Sequence, residues 1–128
     1  MIGRLDLIMM IVGDLERSAR FYGDVLGLPV LYRTERWAEF AAGEIRLALH
    51  LAGDDVGVSP TTGCTFAFVV DDVEGVIGEL RAHGTLILQE PHREAFGGVL
   101  AVISDPDGYR IQLLKLDAAG ANRSNSAP

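Results

Sequence analysis

The feature that most constrains the fold is an internal repeat. Residues 12–16, with the sequence VGDLE, match residues 70–74, with the sequence VDDVE. Each segment follows an apolar run typical of a strand and precedes apolar residues at helical spacing. Asp14 is predicted to cap the first helix, and Asp71 and Glu74 form a pair like a capping box before the second. The two halves are therefore expected to share one architecture.

Each half is predicted to be a βαβββ module, which gives an α+β fold in a single domain, residues 1–116. A module of this size cannot cover its own sheet, so the two modules are expected to pair around a shared core. Module one spans residues 5–51, with strands at 5–12, 30–33, 36–42 and 44–51 and a helix from Leu15 to a stop at Gly27. Residues 52–63 read as a linker. Module two spans residues 64–116, with strands at 64–70, 85–88, 98–104 and 109–116, a helix that ends at Gly84, and a flexible tail at 117–128.

Composition excludes several classes of function. The net charge is −7, from 18 acidic and 11 basic residues, and the basic residues are scattered, so no nucleic-acid partner is expected. No apolar run approaches the roughly 20 residues of a membrane-spanning helix, and no membrane partner is expected. Cys64 is the only cysteine, which excludes an internal disulfide and a cysteine-rich metal site. We predict a cytoplasmic location.

Alternating side chains mark one face of the predicted strands. In the strand 44–51, leucines and an isoleucine alternate with more polar residues, and the last strand alternates in the same way. Two interpretations are open: the polar face lines a ligand cleft, or it is the ordinary solvent-exposed face of an antiparallel sheet. The residues that would converge in such a cleft are Trp37, Glu39, Arg46, His50, Arg110 and Gln112.

Two motifs carry a family resemblance. Residues 12–22, VGDLERSARFY, continue to residues 25–28, VLGL, and residues 105–113 read DPDGYRIQL. Both resemble signatures of the vicinal oxygen chelate superfamily, which includes glyoxalase I, bleomycin resistance proteins, fosfomycin resistance enzymes and extradiol dioxygenases. The likeness covers residues 5 to 116. It implies paired βαβββ modules whose strands form a cupped mixed sheet with helices on the outer face, commonly completed by a second copy of the chain. We therefore expect a homodimer.

The resemblance also implies where a metal ion is bound in metal-dependent members. Their four ligand positions fall on Leu7, Ala48, Thr65 and Gln112. Leucine and alanine have no donor atom, and of the four only Gln112 is expected to be able to coordinate, as a weak neutral donor. We expect no metal and no other cofactor, with these positions lining the ligand site instead. His50 with Glu39 and Gln112 is left as a sparse alternative ligand set.

The sequence thus predicts a metal-free protein that binds a small molecule, similar in mode to bleomycin resistance proteins. Trp37 would stack on a flat or cationic ligand, and Glu39 would neutralise its charge. An alternative role for Trp37 is packing at a seam between modules or subunits. A third possibility is a regulatory protein whose cup is filled by side chains such as Leu7, Met9 and Trp37.

The alternative function is catalytic: a divergent lyase or isomerase of the glyoxalase type, or a dioxygenase, with a non-standard or metal-free site. His50 would then be the general base, and Arg46 or Arg110 would stabilise an oxyanion.

Overall fold

The computed structural model describes residues 1–60 and 63–118, so residues 119–128 of the predicted tail lie outside the described residues. The chain divides into two compact units, Met1–Ser59 and Pro60–Pro128. The division lies within the segment predicted as a linker. No helix in the described parts of the chain is long and apolar enough to cross a membrane.

Unit one contains a four-stranded mixed sheet, here called sheet 1. Its elements are β1 (Leu7–Val12), α1 (Leu15–Arg20), β2 (Val30–Arg33), β3 (Trp37–Ala42) and β4 (Ile45–Leu51). The strand order is β1-β4-β3-β2, with β1 parallel to β4 and the other pairs antiparallel. A parallel pair needs a long crossover connection, and α1 with the β2–β3 hairpin supplies it.

Unit two repeats this topology in sheet 2. Its elements are β5 (Phe66–Val69), α2 (Val73–Ala82), β6 (Leu86–Glu94), β7 (Gly98–Ser104) and β8 (Arg110–Leu116). The order is β5-β8-β7-β6, and β5 runs parallel to β8. The predicted α+β class with two βαβββ modules is confirmed.

The repeated aspartates cap both helices. The Asp14 carboxylate accepts the backbone N–H of Arg17 at 3.1 Å, and the Asp72 carboxylate accepts that of Gly75 at 3.0 Å. The prediction that Asp71 opens α2 is one residue early, because Asp72 has the extended backbone (φ −141°, ψ 93°) of an N-cap. The cap also explains why residue 75 is a glycine, because a Cβ at this position would clash with the Asp72 carboxylate.

The first helix changes its hydrogen-bond pattern before it ends. A π-helical turn, Phe21–Val25, follows α1, and the Leu26 N–H donates to the Phe21 carbonyl at 2.8 Å. Gly27 then reverses the chain with φ +81°, a conformation that glycine adopts without strain, as predicted for this position.

The strand predicted at residues 85–88 is longer than expected. β6 extends to Glu94 and includes His92, which lies beyond the end of the predicted strand. Pro91 made a strand improbable because proline has no N–H to donate. β6 is an edge strand, where proline is tolerated, and its pairing with β7 is irregular between Gln89 and His92.

Both units have their own apolar core. In sheet 1, Phe40, Leu47 and Leu49 are buried, and the Tyr22 ring lies 6.5 Å from the Phe40 ring between centroids. Sheet 2 contributes a comparable set of buried residues: Ile103, Ile111 and Leu113 from the strands, and Val73, Ile77 and Leu80 from α2. In each unit the residues that alternate with these core positions form the other face of the sheet.

Candidate functional site

Strand register assembles one face of sheet 1 from three strands. β1 pairs Leu7 with Arg46, Met9 with Ala48 and Ile11 with His50, and β3 pairs Trp37 with His50 and Glu39 with Ala48. Residues paired across neighbouring strands point to the same side of a sheet. We call this side the Trp37 face. The predicted site residues that it brings together are Leu7, Trp37, Glu39, Arg46, Ala48 and His50.

Glu39 holds the polar side chains of the Trp37 face in place. Its carboxylate accepts the Trp37 Nε1–H at 2.9 Å and an Arg46 Nη1–H at 2.7 Å. Only 15% of the Glu39 side chain is exposed, so both hydrogen bonds are partly shielded from water. The indole is therefore fixed by its N–H, and the negative charge of Glu39 is already balanced.

Arg46 is held from its other side by Asp6. The Arg46 Nη2 donates to the Asp6 carboxylate, which also forms an ion pair with Arg4 at 3.4 Å. The hydrogen bond with Asp6, and then that with Glu39, raises the pKa of Arg46 above its ordinary value. The guanidinium is thus a permanent cation with donors committed to two carboxylates.

Asp6 is the member of this network that sequence reasoning missed. It is the one charged residue in the otherwise apolar run 5–12, and that was the available signal. Its partner lies 40 residues further along the chain. Only the parallel pairing of β1 with β4 brings the two together.

Trp37 and His50 form an aromatic pair on this face. Their ring centroids lie 5.8 Å apart and the ring planes meet at 87°, an edge-to-face arrangement. His50 Nδ1 is buried and has no hydrogen-bond partner among the described residues. Ala48 lies at the centre of the face, fully buried, and offers only a methyl group.

The remaining predicted site residues belong to unit two, with Thr65 just before β5 and Arg110 and Gln112 on β8. The Thr65 hydroxyl donates to the backbone carbonyl of Arg110 at 3.1 Å. Gln112 pairs with Ala67 of β5 and with Val102 of β7. Arg110 and Gln112 alternate along β8 and therefore point to the same side of sheet 2.

His92 forms a separate pair of polar contacts on β6. Its Nδ1 lies 2.8 Å from the Glu90 carbonyl, and its Nε2 lies 2.8 Å from a carboxylate oxygen of Glu94. The Glu90 carbonyl, and then the Glu94 carboxylate, raises the pKa of His92 above its ordinary value. The reason is that the protonated ring donates to both acceptors, whereas the neutral ring has a single N–H.

Comparison with known proteins decides the family. Residues 4–113 match the model of the Glyoxalase/Bleomycin resistance protein/Dioxygenase superfamily. The chain belongs to this superfamily. The family accounts for both repeated modules, because the matched residues run from just before β1 into β8.

The chain is similar to proteins whose names point to different functions. It is 33% identical over 121 residues to a lactoylglutathione lyase of Haemophilus influenzae, covering 84% of this chain and 88% of that one. It is 26% identical over 126 residues to the phenazine antibiotic resistance protein EhpR of Enterobacter agglomerans, covering 88% and 92%. A glyoxalase-related enzyme from Fulvimarina pelagi, of known crystal structure, shares 28% identity at a TM-score of 0.76, covering 89% and 88%.

Metal-dependent members of the superfamily hold their metal ion at four positions, which the resemblance places at Leu7, Ala48, Thr65 and Gln112. These four residues do not suit a divalent ion in this chain. Leu7 and Ala48, both on the Trp37 face, have no donor atoms. Thr65 directs its hydroxyl to a backbone carbonyl, and Gln112 offers a neutral amide. Within residues 1–60 and 63–118 there is no cluster of three or more histidine, cysteine, aspartate or glutamate side chains suited to a metal.

Proposed function

We propose that this chain binds a planar aromatic small molecule on the Trp37 face and does so without a divalent metal ion. The observation that carries the proposal is the fixed indole of Trp37 beside His50, on a face where Leu7 and Ala48 replace metal ligands by hydrocarbon. A rigid aromatic side chain stacks on a flat ligand at low entropic cost. The relative named for phenazine antibiotic resistance supports this ligand class.

The charges around Glu39 favour an aromatic ligand over a cationic one. The sequence predicted that Glu39 neutralises a positively charged ligand. Its carboxylate already accepts hydrogen bonds from Trp37 and from the Arg46 guanidinium. A cationic ligand would have to compete with Arg46 for this charge, so we assign Glu39 to holding the indole instead.

Intrinsic fluorescence tests the proposal directly, because Trp37 is the only tryptophan of the chain. A panel of planar aromatics, including phenazines, is titrated against the protein while the Trp37 emission is followed. We expect saturable quenching at micromolar ligand, confirmed by calorimetry. Trp37→Leu should lower the calorimetric affinity about 5- to 150-fold, as loss of one stacking contact predicts. Phe96→Leu, which changes another half-buried aromatic residue, is the matched control and should bind normally. Absence of binding by every compound would contradict the proposal.

The second candidate function is a glyoxalase-type lyase or isomerase. The relative named lactoylglutathione lyase favours it, as does the buried Nδ1 of His50, which has no hydrogen-bond partner in the part of the chain that the structure describes. His50 would act as general base and Arg46 or Arg110 would stabilise an oxyanion, although the donors of Arg46 are engaged by Asp6 and Glu39. Formation of lactoylglutathione from methylglyoxal and glutathione, lost in His50→Phe, would establish this function in place of binding.

The homodimer and the cytoplasmic location stay predictions. Light scattering coupled to size-exclusion chromatography tests the first, with an expected mass near twice the 13.8 kDa of one chain.

A further inference from the structure

His50 carries the one buried side-chain nitrogen of the Trp37 face that lacks a hydrogen bond within the described residues. Its polar neighbours on this face are engaged with one another. The Trp37 N–H is donated to Glu39, and Arg46 is shared between Glu39 and Asp6. A ligand stacked on Trp37 therefore finds the indole N–H engaged by Glu39 and the guanidinium charge balanced by two carboxylates.

Because Nδ1 has no hydrogen-bond partner among the described residues, one tautomer of the His50 imidazole is favoured. A neutral imidazole has one N–H donor and one bare acceptor nitrogen, and the surroundings of one nitrogen decide the state of the other. A buried N–H without a partner is rarer in proteins than an unpaired acceptor. The proton of neutral His50 is therefore expected on Nε2, with the lone pair on the buried Nδ1.

We infer, on the basis of the proposed function, that His50 donates its Nε2–H to the ligand and that the site selects aromatic molecules with an acceptor at the ring. Suitable acceptors are a ring nitrogen or a ring carbonyl oxygen. The ring centroids of Trp37 and His50 lie only 5.8 Å apart, so a single multi-ring ligand can contact both side chains. Trp37 then supplies affinity, and His50 supplies discrimination between flat molecules of the same shape.

Two isosteric probes separate stacking from hydrogen bonding. Phenazine-1-carboxylate has acceptor nitrogens in its central ring, whereas anthracene-1-carboxylate has the same shape and charge without them. A single neutral hydrogen bond corresponds to about 2- to 13-fold in affinity. We expect the protein to prefer the phenazine by this factor in titrations that follow Trp37 fluorescence.

Variants of His50 assign the preference to its side chain. His50→Phe keeps an aromatic ring at this position but has no N–H donor, so it should bind the two probes with equal affinity. His50→Gln restores an N–H donor and should recover part of the preference. Equal binding of the two probes by the unmodified protein, or a preference that persists in His50→Phe, would overturn the role of His50 while leaving aromatic binding intact. Failure of both probes to bind would overturn this inference, and failure of the whole aromatic panel would overturn the proposed function with it.

The tautomer of His50 can be measured in the unmodified protein, so this test does not depend on the folding of any variant. Long-range proton–nitrogen NMR distinguishes the two neutral tautomers, and the chain has only three histidines to assign. We expect the Nε2–H form for His50 and a shift of its Nε2 resonance when the phenazine is added. A ring protonated on Nδ1 in the neutral state would overturn the inference.

Discussion

Glu39 offers the sharpest test of how the Trp37 face works, because two substitutions separate its two possible roles. Glu39→Leu removes the acceptor of the Trp37 N–H and frees the indole without deleting any group that would touch the ligand. Glu39→Gln keeps an oxygen that accepts this N–H but removes the negative charge. If Glu39 positions the indole, the leucine variant loses affinity and the glutamine variant does not.

The expected loss follows from the entropy of one side chain. Immobilising a freed side chain at a binding site costs about 0.5–1.5 kcal/mol, which corresponds to a roughly 2- to 13-fold weaker affinity. Glu39→Leu should therefore lie between the unmodified protein and Trp37→Leu, and Glu39→Gln should bind within about 2-fold of the unmodified protein.

The assay uses the fluorescence of the single tryptophan twice. Time-resolved anisotropy reports the motion of the indole, and ligand titration reports affinity. Glu39→Leu should show a fast depolarising component that is absent from the unmodified protein and from Glu39→Gln. The positioning role of Glu39 is excluded if Glu39→Gln binds as weakly as Glu39→Leu, since the charge would then matter, or if Glu39→Leu binds normally.

Two further predictions concern the scaffold. Gly75→Ala should leave the free energy of unfolding in urea nearly unchanged, because about 1 kcal/mol gained in helix propensity offsets about 1 kcal/mol lost when the new Cβ, 2.4 Å from Asp72 Oδ2, displaces the cap. In an Asp72→Ala background, Gly75→Ala should raise the free energy of unfolding by about 1 kcal/mol. Equal effects of Gly75→Ala in both backgrounds would contradict the role of Asp72 as the N-cap of α2. The pKa of His92 is raised from 6.5, so its contacts stabilise the fold below about pH 6.5 and this contribution is lost as pH rises through the folded pKa. His92→Gln should therefore lower the melting temperature at about pH 5.5 but not at about pH 9. Glu94→Gln should lower the pKa of His92 in an NMR titration, and an unchanged pKa would show that the Glu94 carboxylate does not raise it.

Local signals made much of the fold predictable. Asp14 before the first helix and the glycines Gly27 and Gly84 act within a few residues of their own position, so one sequence is enough to find them. The cap of the second helix was located to within one residue, at Asp71 in place of Asp72. Alternation likewise placed Trp37 with Glu39, and Arg46 with His50, on shared faces before any strand pairing was known.

Contacts between neighbouring strands could not be predicted, because the sequence does not reveal the strand register. Alternation says which residues of one strand share a face, but not which residue of the neighbouring strand lies beside them. The Asp6–Arg46 ion pair and the Trp37–His50 ring contact depend on that register, so the sequence alone did not reveal them. The length of β6 was missed because Pro91 is a local signal against a strand, whereas its place at a sheet edge is a property of the whole fold.

The most direct test of metal-free binding is to compare the affinity for an aromatic ligand before and after any metal is removed from the protein. The protein is dialysed against a chelator, its nickel, zinc, iron and manganese contents are measured by elemental analysis, and phenazine-1-carboxylate is titrated against Trp37 fluorescence. We predict the same dissociation constant before and after chelation, in protein that holds no stoichiometric metal. Binding that disappears with the chelator and returns on adding one equivalent of a divalent ion would contradict a ligand site built from hydrocarbon and aromatic side chains.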